Sequence, residues 1–179
     1  MTAGVTVSIT EDQLYTALGN FLVGILGSSV SVIRGQVNRV SMPVGDFVLM
    51  TAMQMQALST NKQVWTPGSV NPGIDSNSTS TQWKVQIDVF GPNAGTNVVA
   101  CANLVRTSYA CDVFTASGID MQPLYGTEPR NMAIVNGEAQ YENRWTFEFL
   151  AQFNPVISTP LDFAIALTIQ LVEVDTTFH

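Results

Sequence analysis

The sequence predicts an α+β fold: a two-layer sandwich with a mostly antiparallel sheet of about four main strands and two helices on one face. Three observations carry this. Two stretches repeat apolar residues at helical spacing, several others alternate apolar and polar residues, and no long crossover joins parallel strand pairs. The 179 residues are read as a single domain, with long hairpin and loop excursions, and such a length buries a full core without staples.

The elements follow in order. Thr10 and Gln13 form a capping-box signature, with Glu11 and Asp12 at the positive end of the helix. Leu14, Leu18, Phe21, Leu22 and Ile25 then recur at helical spacing, and Gly27 sits where the helix should stop. This predicts a helix over 11–26, followed by a short strand over 30–34. GQVNRVSMPVGD (35–46) reads as a loop and FVLMTAMQMQAL (47–58) as a strand. Residues 59–81, with Pro67, Gly68, Pro72, Gly73 and a Ser/Thr/Asn cluster, read as one long exposed hairpin connection.

Trp83, Val85, Ile87 and Val89 alternate with Lys84, Gln86 and Asp88, the pattern of a half-buried strand. GPNAGT turns the chain into a second helix over 94–113, with Asn93 as its N-cap and Val98, Ala102, Val105 and Tyr109 as its inner stripe. A loop with a short strand fills 118–136. Two long strands close the chain. Tyr141, Trp145, Phe147, Phe149 and Phe153 share a face of the first, and Ile165, Leu167, Ile169 and Leu171 a face of the second. NPVISTP (154–160) connects them. The sheet's other face presents Lys84, Gln86, Asp88, Glu142, Arg144, Glu148, Gln152 and Gln170.

Composition narrows function. Apolar residues make up 46% of the chain and charged ones only 12%, about half the roughly 25% of an ordinary soluble domain. Fourteen acids against seven Lys and Arg leave a net charge of −7. The apolar content excludes intrinsic disorder, and the acidity argues against binding DNA through its phosphates. The longest apolar runs fall short of the ~20 residues of a membrane helix, and MTAGVTVSIT has neither the basic nor the apolar region of a secretory signal. A surface so poor in charge suggests burial against other subunits.

Catalytic chemistry finds few candidates. The one histidine, His179, is the last residue, so neither a zinc site nor a Ser–His or Cys–His nucleophile can be assembled. Cys101 and Cys111 fall on one predicted helix about 15 Å apart, too far for a disulfide, and both read as small buried hydrophobes. Asp88, Glu142 and Glu148 are the candidates for a carboxylate pair, but Lys84 and Arg144 on the same face are cross-strand partners that would neutralise them. Gly91, Pro92, Gly95 and Thr96 sit where a phosphate loop would lie, without its lysine. The expectation is no enzyme, no catalytic residues, no metal and no cofactor. The seven Met residues, four at 42, 50, 53 and 55, fit either core filler or an adaptable binding surface. Two Arg- and amide-bearing loops suit fixed protein contacts: RGQVNR, with Arg34, Asn38 and Arg39, and 125–145, with Arg130, Asn131 and Asn136.

Three blocks, the first and last of which carry those loops, VIRGQVNRVSMPVGDFVLMT (32–51), WKVQIDVFGPNAGTN (83–97) and PLYGTEPRNMAIVNGEAQYENRWTFEFLAQFNP (123–155), resemble the tailed-phage neck or tail terminator family. The resemblance implies a structural virion protein without enzymatic activity, in the tail or neck and assembled in the host cytoplasm. It implies a ring, commonly a hexamer, that caps the tail tube, stops its polymerisation and presents a head–tail joining surface. The implied partners are further copies of the chain, the tail tube protein, the sheath protein of a contractile tail and a head-completion (stopper) protein. DNA passes through without specific binding, and no membrane is involved. Net acidity suits such a channel, since six chains would carry about −42 charges and repel phosphates. Two alternatives remain: another head–tail connector or tail-tube ring protein, and a small-ligand or carbohydrate-binding module.

Overall fold

Thr10 opens the first helix, α1 (Glu11–Leu26), through a complete capping box. Gln13 N–H donates to Thr10 Oγ1 at 3.3 Å, and Thr10 N–H donates to Gln13 Oε1 at 2.8 Å. The helix stops at Gly27, whose φ of +82° suits glycine. Leu14, Leu18, Phe21 and Leu22 are buried as predicted, while Ile25 is only partly covered. The computed structural model describes residues 4–36, 43–135, 141–164 and 166.

A two-residue strand, β1 (Thr6–Val7), precedes α1. After it come β2 (Ser31–Arg34), β3 (Phe47–Ala57), β4 (Lys62–Thr66), β5 (Gly73–Ser78) and β6 (Thr81–Phe90). Two helices follow, α2 (Ala94–Leu104) and α3 (Ser108–Ala116). The chain continues through β7 (Met121–Gly126), β8 (Arg130–Asn131), β9 (Ile134–Val135), β10 (Tyr141–Glu142), β11 (Arg144–Phe153) and β12 (Val156–Leu161). The fold is α+β, as the periodicities predict. The larger sheet runs β2-β3-β6-β11-β7, with β8 also paired to β11. A second sheet runs β1-β12-β5-β4, and β9 and β10 form a small ribbon. Among the described residues all pairings are antiparallel except β2 with β3, a parallel pair that the sequence reading does not contain.

The core lies where the larger sheet meets the helices. Trp83, Val85, Ile87 and Val89 of β6 and Phe147, Phe149, Ala151 and Phe153 of β11 form one face. They join the α1 stripe, Val98, Cys101 and Ala102 of α2, and Ala110 and Phe114 of α3 in one buried cluster. Phe114 packs against both Phe21 and Phe149, with ring centroids 5.3 and 5.7 Å away.

Four sequence readings change. The helix predicted over 94–113 is two helices, because Thr107 turns to an extended backbone and caps the end of α2, its hydroxyl donating to the Leu104 carbonyl at 2.7 Å. The break moves Tyr109 out of the predicted stripe to partial exposure and turns Cys111 outward, while Cys101 is buried. Burial pushes the Cys101 thiol up from 9.0 to about 12. Residues 59–81 are not a simple connection but contain β4 and β5, and residues 154–160, read as a connection, contribute most of β12. Asn93 occupies the N-cap position of α2 without a side-chain cap. Its side chain donates instead to Asp46 Oδ2 at 2.7 Å, and its N–H to Asp46 Oδ1 at 3.0 Å. Gly91 (φ +108°) allows this close approach, since a Cβ there would strike Asp46 and the Gly45 carbonyl. The predicted strand with Ile165, Leu167, Ile169 and Leu171 lies outside the described residues.

The three long strands share one plan. β3 passes into β4, β5 into β6, and β11 into β12, each after a short break, so three chain segments run through both sheets. At the break Leu58 N–H donates to the Ser80 carbonyl, and Ser80 Oγ donates to Asn154 Oδ1 at 2.9 Å. The second sheet is therefore an arm continuing out of the core.

Candidate partner-binding surfaces

Alternation along β6 and β11 turns Lys84, Gln86, Asp88, Arg144 and Glu148 to the face opposite the core. Asp88 is 2% exposed. Arg144 Nε and Nη2 donate to its Oδ1 at 3.1 and 3.0 Å, and Gln86 Nε2 donates to both carboxylate oxygens at 3.0 and 2.8 Å. The Arg144 guanidinium also lies 5.7 Å from the centre of the Phe90 ring, which stacks on Phe47 at 4.6 Å. Beside it, Lys84 Nζ meets Glu148 Oε2 at 2.8 Å. Asp88 and Glu148 are held by cations as the cross-strand reading expects; Glu142, the third carboxylate predicted for this face, lies on β10 opposite Ile134 of β9. Such a face fixes the sheet; it does not present a carboxylate base to a substrate.

The described members of the two predicted contact groups, Arg34 on one side and Arg130 with Asn131 on the other, lie at opposite edges of this sheet. Arg34 is on the edge strand β2. Its Nη1 pairs with Asp12 Oδ1 at 2.6 Å, its Nη2 donates to the Asp12 carbonyl, and its guanidinium sits 4.4 Å from the centre of the Tyr15 ring. Arg34 thus fastens β2 to the start of α1 and is only part-exposed. At the other edge, Arg130 and Asn131 form β8 against Thr146 and Trp145. Asn131 spends its side-chain oxygen on the Ala133 N–H at 3.1 Å. Arg130 is exposed and lines a recess of about 190 Å³ with Gln86, Thr127, Glu128, Met132 and Glu148. Asn38, Arg39 and Asn136 lie outside the described residues.

Of the six cations among the described residues, Arg34, Lys84, Arg106 and Arg144 are in ion pairs. Lys62 and Arg130 are in none of these pairs. Sequence composition missed Lys62, which sits on β4 of the arm beside Val64 and Trp65, both nearly half exposed. Its signal was present in KQVWT, a β-branched and aromatic run hidden by the Pro, Gly and Ser around it.

A family model described as phage neck terminator protein matches residues 12–179. The chain belongs to the phage neck terminator family. The match spans most of the chain, from the first turn of α1 through β12, and bears out the resemblance read from the three sequence blocks. It places this neck terminator among the structural proteins of the bacteriophage neck rather than in an enzyme family, and among proteins that meet other head and tail components. No curated protein matches the chain significantly. No helix among the described residues is long and apolar enough to cross a membrane.

Proposed function

We propose that the chain forms a ring, most simply a hexamer, that caps the last layer of the tail tube, halts its polymerisation and offers the surface to which the head is joined. The observation that carries this is the arm. Three core strands run on past the helices into a sheet with little core of its own, an arrangement suited to reaching a neighbouring layer. The position of Arg34 and Arg130 at opposite edges of the larger sheet supports head-to-tail contacts, in which each copy uses two different surfaces. Arg130, Asn131, Asn38, Arg39 and Asn136 are the proposed contact residues. Arg34 acts there by holding the β2 edge in shape.

The partners under this reading are further copies of the chain, the tail tube protein, a sheath protein where the tail contracts, and a head-completion protein. Assembly takes place in the host cytoplasm. DNA crosses the ring unbound, with net acidity keeping phosphates off the wall; a ring structure with a pore dominated by Arg and Lys would refute that point. Deleting the gene and viewing the lysate by electron microscopy tests the main reading. Tails of uncontrolled length with unjoined heads support it, and tails of normal length refute it.

A further inference from the structure

The two sheets treat their edges differently. In the larger sheet, β2 covers the first part of β3, and just beyond it the Ala52 N–H is taken by the Tyr15 hydroxyl at 2.8 Å. The opposite edge carries Pro123 in β7, and the Gly126 carbonyl is held by Arg106. These are the devices by which sheets avoid sticking to one another. Among the described residues, the outer strands of the arm have neither. Its outer strands are β4 and β1. Lys62 is the single charge on β4, and among the described residues no hydrogen bond joins another segment to the outer side of either strand.

Which peptide groups face outward follows from one contact. Ser8 N–H donates to the Val156 carbonyl at 3.0 Å, and Val156 N–H donates to Ser8 Oγ at 2.8 Å, so Val156 turns its peptide groups toward β1. Peptide groups alternate sides along an antiparallel strand. Ile157 and Thr159 therefore turn toward β5, where Asn77 and Asp75 face them. Ser76 and Ile74 turn the other way, toward Val64 and Thr66 of β4. No bulge interrupts these registers. What remains pointing outward is Gln63 and Trp65 on one edge, and Val7 with Val5 on the other. All four side chains project from the same face of the arm, and Trp65, Val7 and Val5 are 44%, 53% and 64% exposed.

We propose that in the ring the β4 edge of one copy pairs with the β1 edge of the next, joining the arms into a continuous antiparallel sheet. The inference rests on the ring reading and adds the interface to it. Four strands, each antiparallel to its neighbour, leave β4 and β1 running in opposite directions. Copies related by rotation about the ring axis keep that relation, so β4 beside a neighbour's β1 is again antiparallel at every joint and the sheet closes. Two registers bring a valine opposite Trp65, either Val5 or Val7, and both make the aromatic with β-branched pair that cross-strand contacts favour.

The first register sets Thr6 opposite Val64 and the second sets it opposite Thr66, each a close pair suited to a disulfide. On a Cys111→Ser background, the double variants Thr6→Cys/Val64→Cys and Thr6→Cys/Thr66→Cys are assembled under reducing conditions, sized by native mass spectrometry and then oxidised. One of the two should yield a covalent ladder up to the ring number. Thr6→Cys/Gln63→Cys, with side chains on opposite faces, should yield none. Val7→Pro removes an outward N–H but none of the ladder to β12; it should keep the monomer's circular dichroism and lose the ring. Rings in which neither matched pair cross-links, or Val7→Pro rings that persist, overturn the edge pairing and leave the ring reading standing. An unmodified chain that stays monomeric overturns both.

Discussion

The core and the arm are built from the same three lengths of chain, yet they are held together by different physics. In the core, strand alternation sends one face against three helices, and aromatic side chains from β6 and β11 are wholly buried. In the arm, the same strands pair in the same order, but Val64, Trp65, Ile74, Ile157 and Leu161 remain about half exposed. Its most buried polar group, Asp75, accepts from Gln63 and Asn77 rather than from a cation. Backbone pairing alone can shape a sheet; apolar burial is what makes it stable alone. Among the described residues, the arm is thus a sheet whose apolar side chains stay about half exposed.

The contrast predicts that equal truncations have unequal costs. Phe149→Ala removes a fully buried ring that packs on Phe114, and should cost about 3–5 kcal/mol in a denaturant titration of the monomer. A loss below about 1 kcal/mol would mean that the core is not the main source of stability.

Asp88→Ala probes the polar face behind that core. It leaves Arg144 and Gln86 without their common acceptor. Arg144 keeps some access to water, with 23% of its side chain exposed, so the cost should be about 2–3 kcal/mol, below that of breaking a fully buried pair. Asp88→Asn, which retains an acceptor oxygen, should recover part of it. If the two variants were equally unstable, the charge rather than the hydrogen bonding would be what holds this face.

How much of this could be read from the sequence follows the same division. α1 was legible to its caps because Thr10, Gln13 and Gly27 act locally and the apolar stripe has the helical period. β6 and β11 were legible because one of their faces is buried, which imposes alternation. The arm was not: with both faces partly wet, β5 (GIDSNS) has no alternation to display, and its strand character comes from pairing with β12, about 80 residues later. The split between α2 and α3 was hidden because Tyr109 continues the stripe in phase, while the break depends on the Thr107 hydroxyl and on the Arg106 contacts to Gly126 and Glu128. Arg34 and Arg130 looked alike by loop composition. Only the fold shows that Arg34 is engaged by a residue 22 positions earlier and that Arg130 is in no ion pair among the described residues.

The smallest stability effect belongs to the arm. Val64→Ser and Ile74→Ser remove exposed branched side chains from adjacent strands, opposite Ser76 and Thr66 respectively. Each should shift monomer stability by no more than about 0.5 kcal/mol. Both side chains project from the face opposite Trp65, so in an assembled ring they lie on the other side of the joined sheet from the proposed aromatic contact. Trp65→Ser should share the small effect on the monomer, apart from losing its edge contact with Phe163 at 5.7 Å, yet weaken assembly far more than the other two. Comparing the three variants by monomer unfolding and by ring yield separates an arm that merely tolerates exposure from one whose two faces have different roles. Equal losses of ring yield for all three would mean that the exposed apolar surface acts as an undivided patch.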